Sequence, residues 1–121
     1  MSKDFIIHLS HLLIIGSLFI YIGTQRTNIP EWFYSPLIGL GAFIVIYHIY
    51  KLYLKITNNK NPWVNLIHIL LVGPLLIYIG YNKKDTKRPF FEILLLLGFA
   101  AIGYHGYYLL EDIGILKNDQ S

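Results

Sequence analysis

The chain has 121 residues, of which 55% are apolar and 14% are charged, with a net charge of +3 and no cysteine. A soluble domain would carry about 25% charged residues, so this composition is typical of a membrane protein. The absence of cysteine excludes disulfides and thiolate metal ligands, and the small net charge gives no reason to expect a nucleic-acid partner. No glycine-rich phosphate loop and no Ser/His/Asp arrangement is present, so an enzyme is not favoured.

Four apolar stretches follow one another along the chain, covering residues 5–23, 32–54, 64–81 and 89–110. Each is close to the roughly 20 residues that an α-helix needs to cross a bilayer. The connections are polar, and Trp32 and Trp63 stand where the second and third stretches begin, as in an aromatic belt. A cleaved signal peptide is the alternative for the first stretch, but no small-residue cleavage site follows Gly23. The sequence therefore predicts an integral, multi-pass membrane protein.

The second half of the chain repeats the first at a constant offset of 57 residues. From His11/His68 to Lys55/Asp112, 16 of 45 aligned positions are identical. Half of these identities are histidine, glycine or tyrosine pairs, which an apolar composition does not supply by itself. We therefore predict two tandem two-helix repeats, residues 1–57 and 58–114, followed by a short polar tail, residues 115–121.

Because each repeat contains two crossings, both repeats enter from the same side, and both termini lie on one side of the membrane. The predicted fold is an all-α integral membrane four-helix bundle whose repeats are related by a pseudo-twofold axis along the membrane normal. Gly16 and Gly23, matched by Gly73 and Gly80, are expected to let helices approach closely. Pro74 is expected to bend the third helix. Basic residues divide equally between the two sides, so the orientation stays undecided.

Each repeat keeps two histidines, namely His11, His48, His68 and His105. His11 and His68 lie a few residues after the start of their stretches, and His48 and His105 lie a few residues before the end of theirs. All four are therefore expected in one layer roughly 9 Å inside the membrane, near the face that carries the termini. Gly41 and Gly98 share helix faces with His48 and His105 and leave room for a ligand or for close helix contact. His8 shares a face with His11, but its repeat partner is Asn65, and we expect it to be peripheral.

Ionisable side chains inside a membrane are costly and usually mark function. The favoured interpretation is that this layer binds haem b or a transition-metal ion, because neutral imidazole ligates both. A diagonal pair, His11 with His68 or His48 with His105, would supply the axial ligands of haem. All four imidazoles together could instead hold a bare zinc or copper ion.

Two alternatives stay open. A ring of imidazoles could gate a proton or ion path. Against this alternative, Glu92 is the one acidic residue that lies inside an apolar stretch and away from the histidine layer, so the sequence offers no continuous polar path. Alternatively, the histidines are structural, and the protein is a partner-binding membrane protein without a ligand. The expected partners are the lipid bilayer, a redox or other membrane protein and, as a further alternative, a second copy of the chain.

Overall fold

The computed structural model describes residues 3–114, with the side chains of Lys3, Asp4, His8 and Asp112 outside the described set. Regular structure in this range is entirely helical. It is dominated by four long segments, called segments 1 to 4: Phe5–Asn28, Glu31–Thr57, Trp63–Asp85 and Arg88–Glu111. Each is long and apolar enough to cross a membrane. The predicted all-α, four-helix architecture is thus confirmed, and the predicted tail lies outside the described residues.

Segments 1 and 3 have the same internal order of elements. Segment 1 consists of α1 (Lys3–Ser10), a π turn (His11–Ile15), α2 (Gly16–Gln25) and a 3-10 turn (Arg26–Asn28). Segment 2 consists of a 3-10 turn (Glu31–Phe33) and α3 (Ser35–Thr57). Segment 3 consists of α4 (Trp63–Ile67), a π turn (His68–Val72), α5 (Gly73–Asn82) and a 3-10 turn (Lys83–Asp85). Segment 4 is α6 (Arg88–Asp112).

The ends of the helices follow from local residue chemistry. Pro36 and Pro89 are the second residues of α3 and α6, where the N–H that proline lacks would have no intrahelical partner. Arg26 and Lys83 follow the ends of α2 and α5 with positive φ angles of 54° and 52°. A residue with a positive φ has left the right-handed helical conformation, so the α-helix ends there. Arg26 and Lys83 are also repeat partners, so both helices end in the same way.

The irregularity in segment 3 is a π turn and not a break at Pro74 itself. The turn His68–Val72 ends directly before Gly73 and Pro74. An equivalent π turn precedes Gly16 in segment 1, where Ser17 stands in place of the proline. Proline is therefore not required for this turn.

The described helices pack as two compact units. In the first unit, residues 3–24, which include most of segment 1, pack against residues 92–114, which include most of segment 4. The second unit contains residues 25–91, in which segment 2 packs against segment 3. Packing thus pairs helices from different predicted repeats. The division of the sequence into hairpin repeats at residues 57 and 58 stays a prediction.

Glycines set the close approach of the two helices within each unit. In the first unit, a Cβ added to Gly16 would lie 2.7 Å from Cγ1 of Ile102, and one added to Gly23 would lie 2.6 Å from Cβ of Leu95. The second unit has the same contacts 57 positions away, Gly73 with Val45 and Gly80 with Ile38. The expectation that these four glycines lie at close helix contacts is therefore confirmed.

The deeply buried side chains lie mainly around the connections after segments 1 and 3, at the opposite ends of those segments from His11 and His68. Five pairs of repeat positions are at most 6% exposed in both members: Phe19/Leu76, Ile22/Ile79, Ile29/Thr86, Tyr34/Phe91 and Leu37/Leu94. Burial therefore follows the same register in the two halves of the sequence.

Candidate functional site: two histidine pairs

Among the described residues, the four histidines form two histidine–histidine ring pairs, one within each unit. In the first unit, the rings of His11 and His105 have centroids 4.5 Å apart and are tilted by 33°. In the second unit, the rings of His48 and His68 stack at 4.0 Å with an angle of 16° between their planes. The structure thus brings together one histidine from each predicted repeat in each unit. The predicted diagonal pairs and the single layer combine histidines of both units and stay predictions.

His11 and His68 begin the two π turns and make the same hydrogen bond. Nδ1 of His11 lies 2.8 Å from the carbonyl oxygen of Ile7, and Nδ1 of His68 lies 2.7 Å from that of Val64. A carbonyl oxygen can only accept, so Nδ1 carries the proton in both rings. In the neutral ring the lone pair is then on Nε2. The backbone therefore fixes both the tautomer and the orientation of these two imidazoles.

The π turns place these histidines at a local widening of the helix. In each turn the carbonyl oxygen of the histidine accepts the N–H of the glycine five residues later, Gly16 or Gly73. A Cβ on Gly73 would press on that carbonyl oxygen at 3.2 Å and on the side chain of Val45. Single π turns within α-helices are rare and occur frequently at functional sites.

Asn65 adds a third polar side chain to the pair in the second unit. Its Oδ1 lies 2.7 Å from Nδ1 of His48, and the residue is only 3% exposed. In this orientation Nδ1 of His48 donates to the amide oxygen. The amide nitrogen of Asn65 has no hydrogen-bond partner among the described residues. A buried donor without an acceptor lowers the stability of the folded protein by about 1–3 kcal/mol, so this polar cluster is energetically costly.

Sequence reasoning missed Asn65. Its signal was a polar residue one helical turn before His68, inside an otherwise apolar stretch. The position drew no attention because its repeat partner is a different residue, His8.

A tyrosine precedes one histidine of each pair and contacts its ring. The ring of Tyr47 meets that of His48 edge-on at 5.3 Å, and the ring of Tyr104 meets that of His105 edge-on at 5.0 Å. Edge-to-face contacts of this kind are favourable between aromatic rings. The tyrosines therefore help to hold the imidazoles in place through ring packing.

Gly41 and Gly98 lie at contacts between helices. A Cβ on Gly41 would be 2.7 Å from the carbonyl oxygen of Gly73, and one on Gly98 would be 3.0 Å from Cγ1 of Ile20. Of the two roles expected for these glycines, the structure shows close helix contact. Their assignment to a ligand pocket stays a prediction.

Among the described side chains, no group of three or more histidine, cysteine, aspartate or glutamate residues could hold a metal ion. A metal bonds to imidazole in the plane of the ring, so two stacked rings do not point at one position. Ligation of one metal by both members of a pair requires one ring to turn. The metal-ligand prediction for His11, His48, His68 and His105 is therefore neither confirmed nor refuted.

Comparison with known proteins adds no functional information, since no family model, curated protein or solved structure matches the chain. Any inference about function therefore rests on the chemistry of the histidine pairs.

Proposed function

We propose that the protein is a multi-pass membrane protein that binds a transition-metal centre, haem b iron or a bare ion, through its histidines. One observation carries this proposal. The Nδ1 atoms of His11 and His68 donate to backbone carbonyls, which leaves Nε2 as the lone-pair atom of the neutral ring. A metal-ligating histidine almost always donates its other ring N–H to such an acceptor. His48 has a comparable acceptor in Oδ1 of Asn65.

The outward faces of the helices support a membrane location. Each segment exposes large apolar side chains, among them Leu13, Phe43, Leu70 and Leu96, each at least 60% exposed. So many exposed large apolar side chains are unusual on a monomeric soluble protein and are expected where lipid surrounds the helices. Four crossings would return the chain to its starting side, so we place both termini on the same side of the membrane.

We also propose that the two halves of the chain are tandem hairpin repeats related by a pseudo-twofold axis along the membrane normal. The support is local and comes from each unit separately. The π turns, the Nδ1 hydrogen bonds, the residues with positive φ after α2 and α5 and the glycine contacts all recur 57 positions apart. Chance resemblance between two apolar hairpins would not reproduce such details together.

A histidine-gated proton or ion path receives less support. Farther along the helices from each pair, the side chains at the glycine contacts are those of isoleucine, valine, leucine and phenylalanine, as with Ile102 and Val45. These side chains neither donate nor accept protons. Metal binding needs only the imidazoles and is therefore the function that the described contacts favour.

The test is the absorption spectrum of protein purified in detergent, before and after dithionite, with elemental analysis of the same sample. A Soret band that shifts on reduction indicates haem, and a stoichiometric metal without that band indicates a bare ion. Protein that purifies empty is titrated with haemin, Zn²⁺ and Cu²⁺. His11→Ala and His68→Ala should reduce occupancy, while Leu13→Ala, an exposed change in the same π turn, should not. Full occupancy in a variant lacking His11, His48, His68 and His105 would overturn the proposal, as would no binding by the wild type.

A further inference from the structure

We infer that the connections after segments 1 and 3 form a binding site for the phosphate group of an anionic lipid, with Arg26 and Lys84 as its main ligands. The site belongs to the second unit and lies at the ends of these segments opposite to His11 and His68. It rests on the proposed membrane location and is independent of metal binding.

The first observation is the contact between two basic turns. The 3-10 turns Arg26–Asn28 and Lys83–Asp85 stand 57 positions apart in the sequence and pack against each other within the second unit. Nζ of Lys84 donates a 3.2 Å hydrogen bond to the carbonyl oxygen of Thr27, so its ammonium group lies beside the residue that follows Arg26. Packing thus brings like charges together, and an anion between them would offset their repulsion.

The second observation is an unsatisfied donor on Arg26. Its Nε is buried and has no hydrogen-bond partner among the described residues. A guanidinium group stays charged and presents its N–H groups in a rigid fork that matches the geometry of a phosphate. A buried donor on a charged group is destabilising without an acceptor, and an anion from outside the chain would supply one.

The backbone around Arg26 is fixed by its own contacts. The hydroxyl of the fully buried Tyr34 donates to the carbonyl oxygen of Arg26 at 2.9 Å, and Lys84 donates to the next carbonyl. Arg26 has a φ of 54°, and residues in such sparsely populated conformations cluster at ligand-binding sites. Because the turn is already held in place, little conformational entropy is lost when it binds a ligand.

The charge and the position of the turns indicate a lipid headgroup. Residues 25–31 and 82–88 carry a net charge of +3, with five basic and two acidic residues, namely Arg26, Lys83, Lys84, Lys87 and Arg88 against Glu31 and Asp85. The ion pair of Lys83 with Glu31, at 3.9 Å and largely exposed, balances one of these charges. The turns end segments 1 and 3, so in a membrane they lie at the level of the headgroups, where basic residues attract anionic lipids.

The experiment measures the binding of phosphatidylglycerol to the full-length protein in neutral detergent, by mass spectrometry of the intact complex over a lipid titration. Phosphatidylcholine, whose phosphate is balanced by its own ammonium group, is the reference lipid. Wild type should retain one phosphatidylglycerol in preference to phosphatidylcholine. Arg26→Gln should weaken this binding roughly tenfold or more, because a charge-assisted hydrogen bond is lost, and Lys84→Gln should weaken it roughly fivefold. Lys60→Gln, which removes an exposed charge from the connection between segments 2 and 3, should have no effect.

Arg26→Lys separates a shaped phosphate site from general attraction to positive charge. Lysine is compatible with the backbone there, because Lys83 stands at the repeat position and also has a positive φ. The variant keeps the charge and loses the fork, so it should bind phosphatidylglycerol several-fold more weakly than the wild type does. Circular dichroism checks the folding of each variant, and Arg26→Lys with Lys84→Gln suffices if Arg26→Gln fails to fold.

Unchanged binding in Arg26→Lys and Lys84→Gln would overturn the site, as would equal retention of the two lipids by the wild type. Displacement of the lipid by millimolar inorganic phosphate would support the phosphate site and overturn its assignment to a lipid. Metal and haem occupancy should be the same in Arg26→Gln as in the wild type. A failure of this inference therefore leaves the proposed metal binding untouched.

Discussion

Replacing Gly41 by alanine should destabilise the protein, while the same change at Gly39, two residues earlier on α3, should not. A Cβ at Gly41 would lie 2.7 Å from the carbonyl oxygen of Gly73 and 2.8 Å from Cγ1 of Ile77, whereas a Cβ at Gly39 would meet nothing within 4 Å. Ordinary van der Waals contact begins at 3.4 Å, so Gly41→Ala is about 0.7 Å too close to a backbone atom. Because a backbone oxygen cannot rotate away, α3 and α5 would have to separate locally.

The size of the effect follows from packing. Inserting a methyl group into a close-packed contact typically costs about 1–3 kcal/mol. A separation of roughly 0.5–1 Å alone removes a quarter to a half of the dispersion energy of the affected atom pairs. Alanine also favours a helix over glycine by about 1 kcal/mol, but this gain applies to both variants and cancels in their comparison. We therefore expect Gly41→Ala to be less stable than Gly39→Ala by about 1–3 kcal/mol.

The assay is reversible unfolding in mixed micelles with increasing sodium dodecyl sulfate, followed by circular dichroism. In the first unit, Gly98→Ala should show a smaller loss than Gly41→Ala, because its shortest contacts, 3.0 Å to Cγ1 and 3.1 Å to the backbone nitrogen of Ile20, are longer than the 2.7 Å contact at Gly41. Gly103→Ala is the control there, since its Cβ would meet nothing within 4 Å. Equal stability of Gly41→Ala and Gly39→Ala would refute the reasoning.

Two further experiments test other parts of the structure. Tyr34→Phe should lower the unfolding free energy by about 0.5–1.5 kcal/mol in the same titration, because the hydroxyl of Tyr34 donates a 2.9 Å hydrogen bond to the carbonyl oxygen of Arg26. The ring should still fit, since Phe91 stands at the repeat position and is equally buried, so an unchanged midpoint would show that the hydroxyl contributes nothing. In lipid vesicles, Trp32 and Trp63, which are 71% and 49% exposed, should be quenched more by lipids brominated near the headgroup than by lipids brominated deep in the chain. Quenching by a water-soluble agent alone would contradict the membrane location.

Much of the architecture follows from the sequence because length and apolar composition are local properties. The four long helices coincide with the four apolar stretches, and Gly16, Gly23, Gly73 and Gly80 mark close helix contacts as expected. The pairing of helices does not follow from composition, since every helix is apolar on several faces. Only the packed structure shows that segment 1 contacts segment 4 and that segment 2 contacts segment 3.

In the candidate site, too, some features can be recognised in the sequence, whereas others depend on how the helices pack. The histidines stand out in the sequence because an ionisable residue in an apolar stretch is costly and each recurs 57 positions away. Their partners do not stand out, because the ring contacts of His11 with His105 and of His48 with His68 depend on helix pairing. Asn65 escaped notice because comparing the halves for identity hides a position where they differ. A difference between repeats can thus be as informative as an identity.

The π turns change which residues share a face of the helix in segments 1 and 3. In a regular α-helix, successive residues advance by 100°, so His11 and Gly16, five residues apart, would point roughly 140° away from each other. The wider turn takes up one extra residue within a single revolution and brings the histidine close to the azimuth of the glycine stripe. The same correction applies between His68 and Gly73. Each turn therefore acts as a phase shift that aligns the imidazole with the helix-contact face. If the same residues formed a regular α-helix, the histidine would rotate away from that face, whereas deletion of one residue from the turn would leave histidine and glycine four residues apart, roughly 40° from each other, and so keep them aligned.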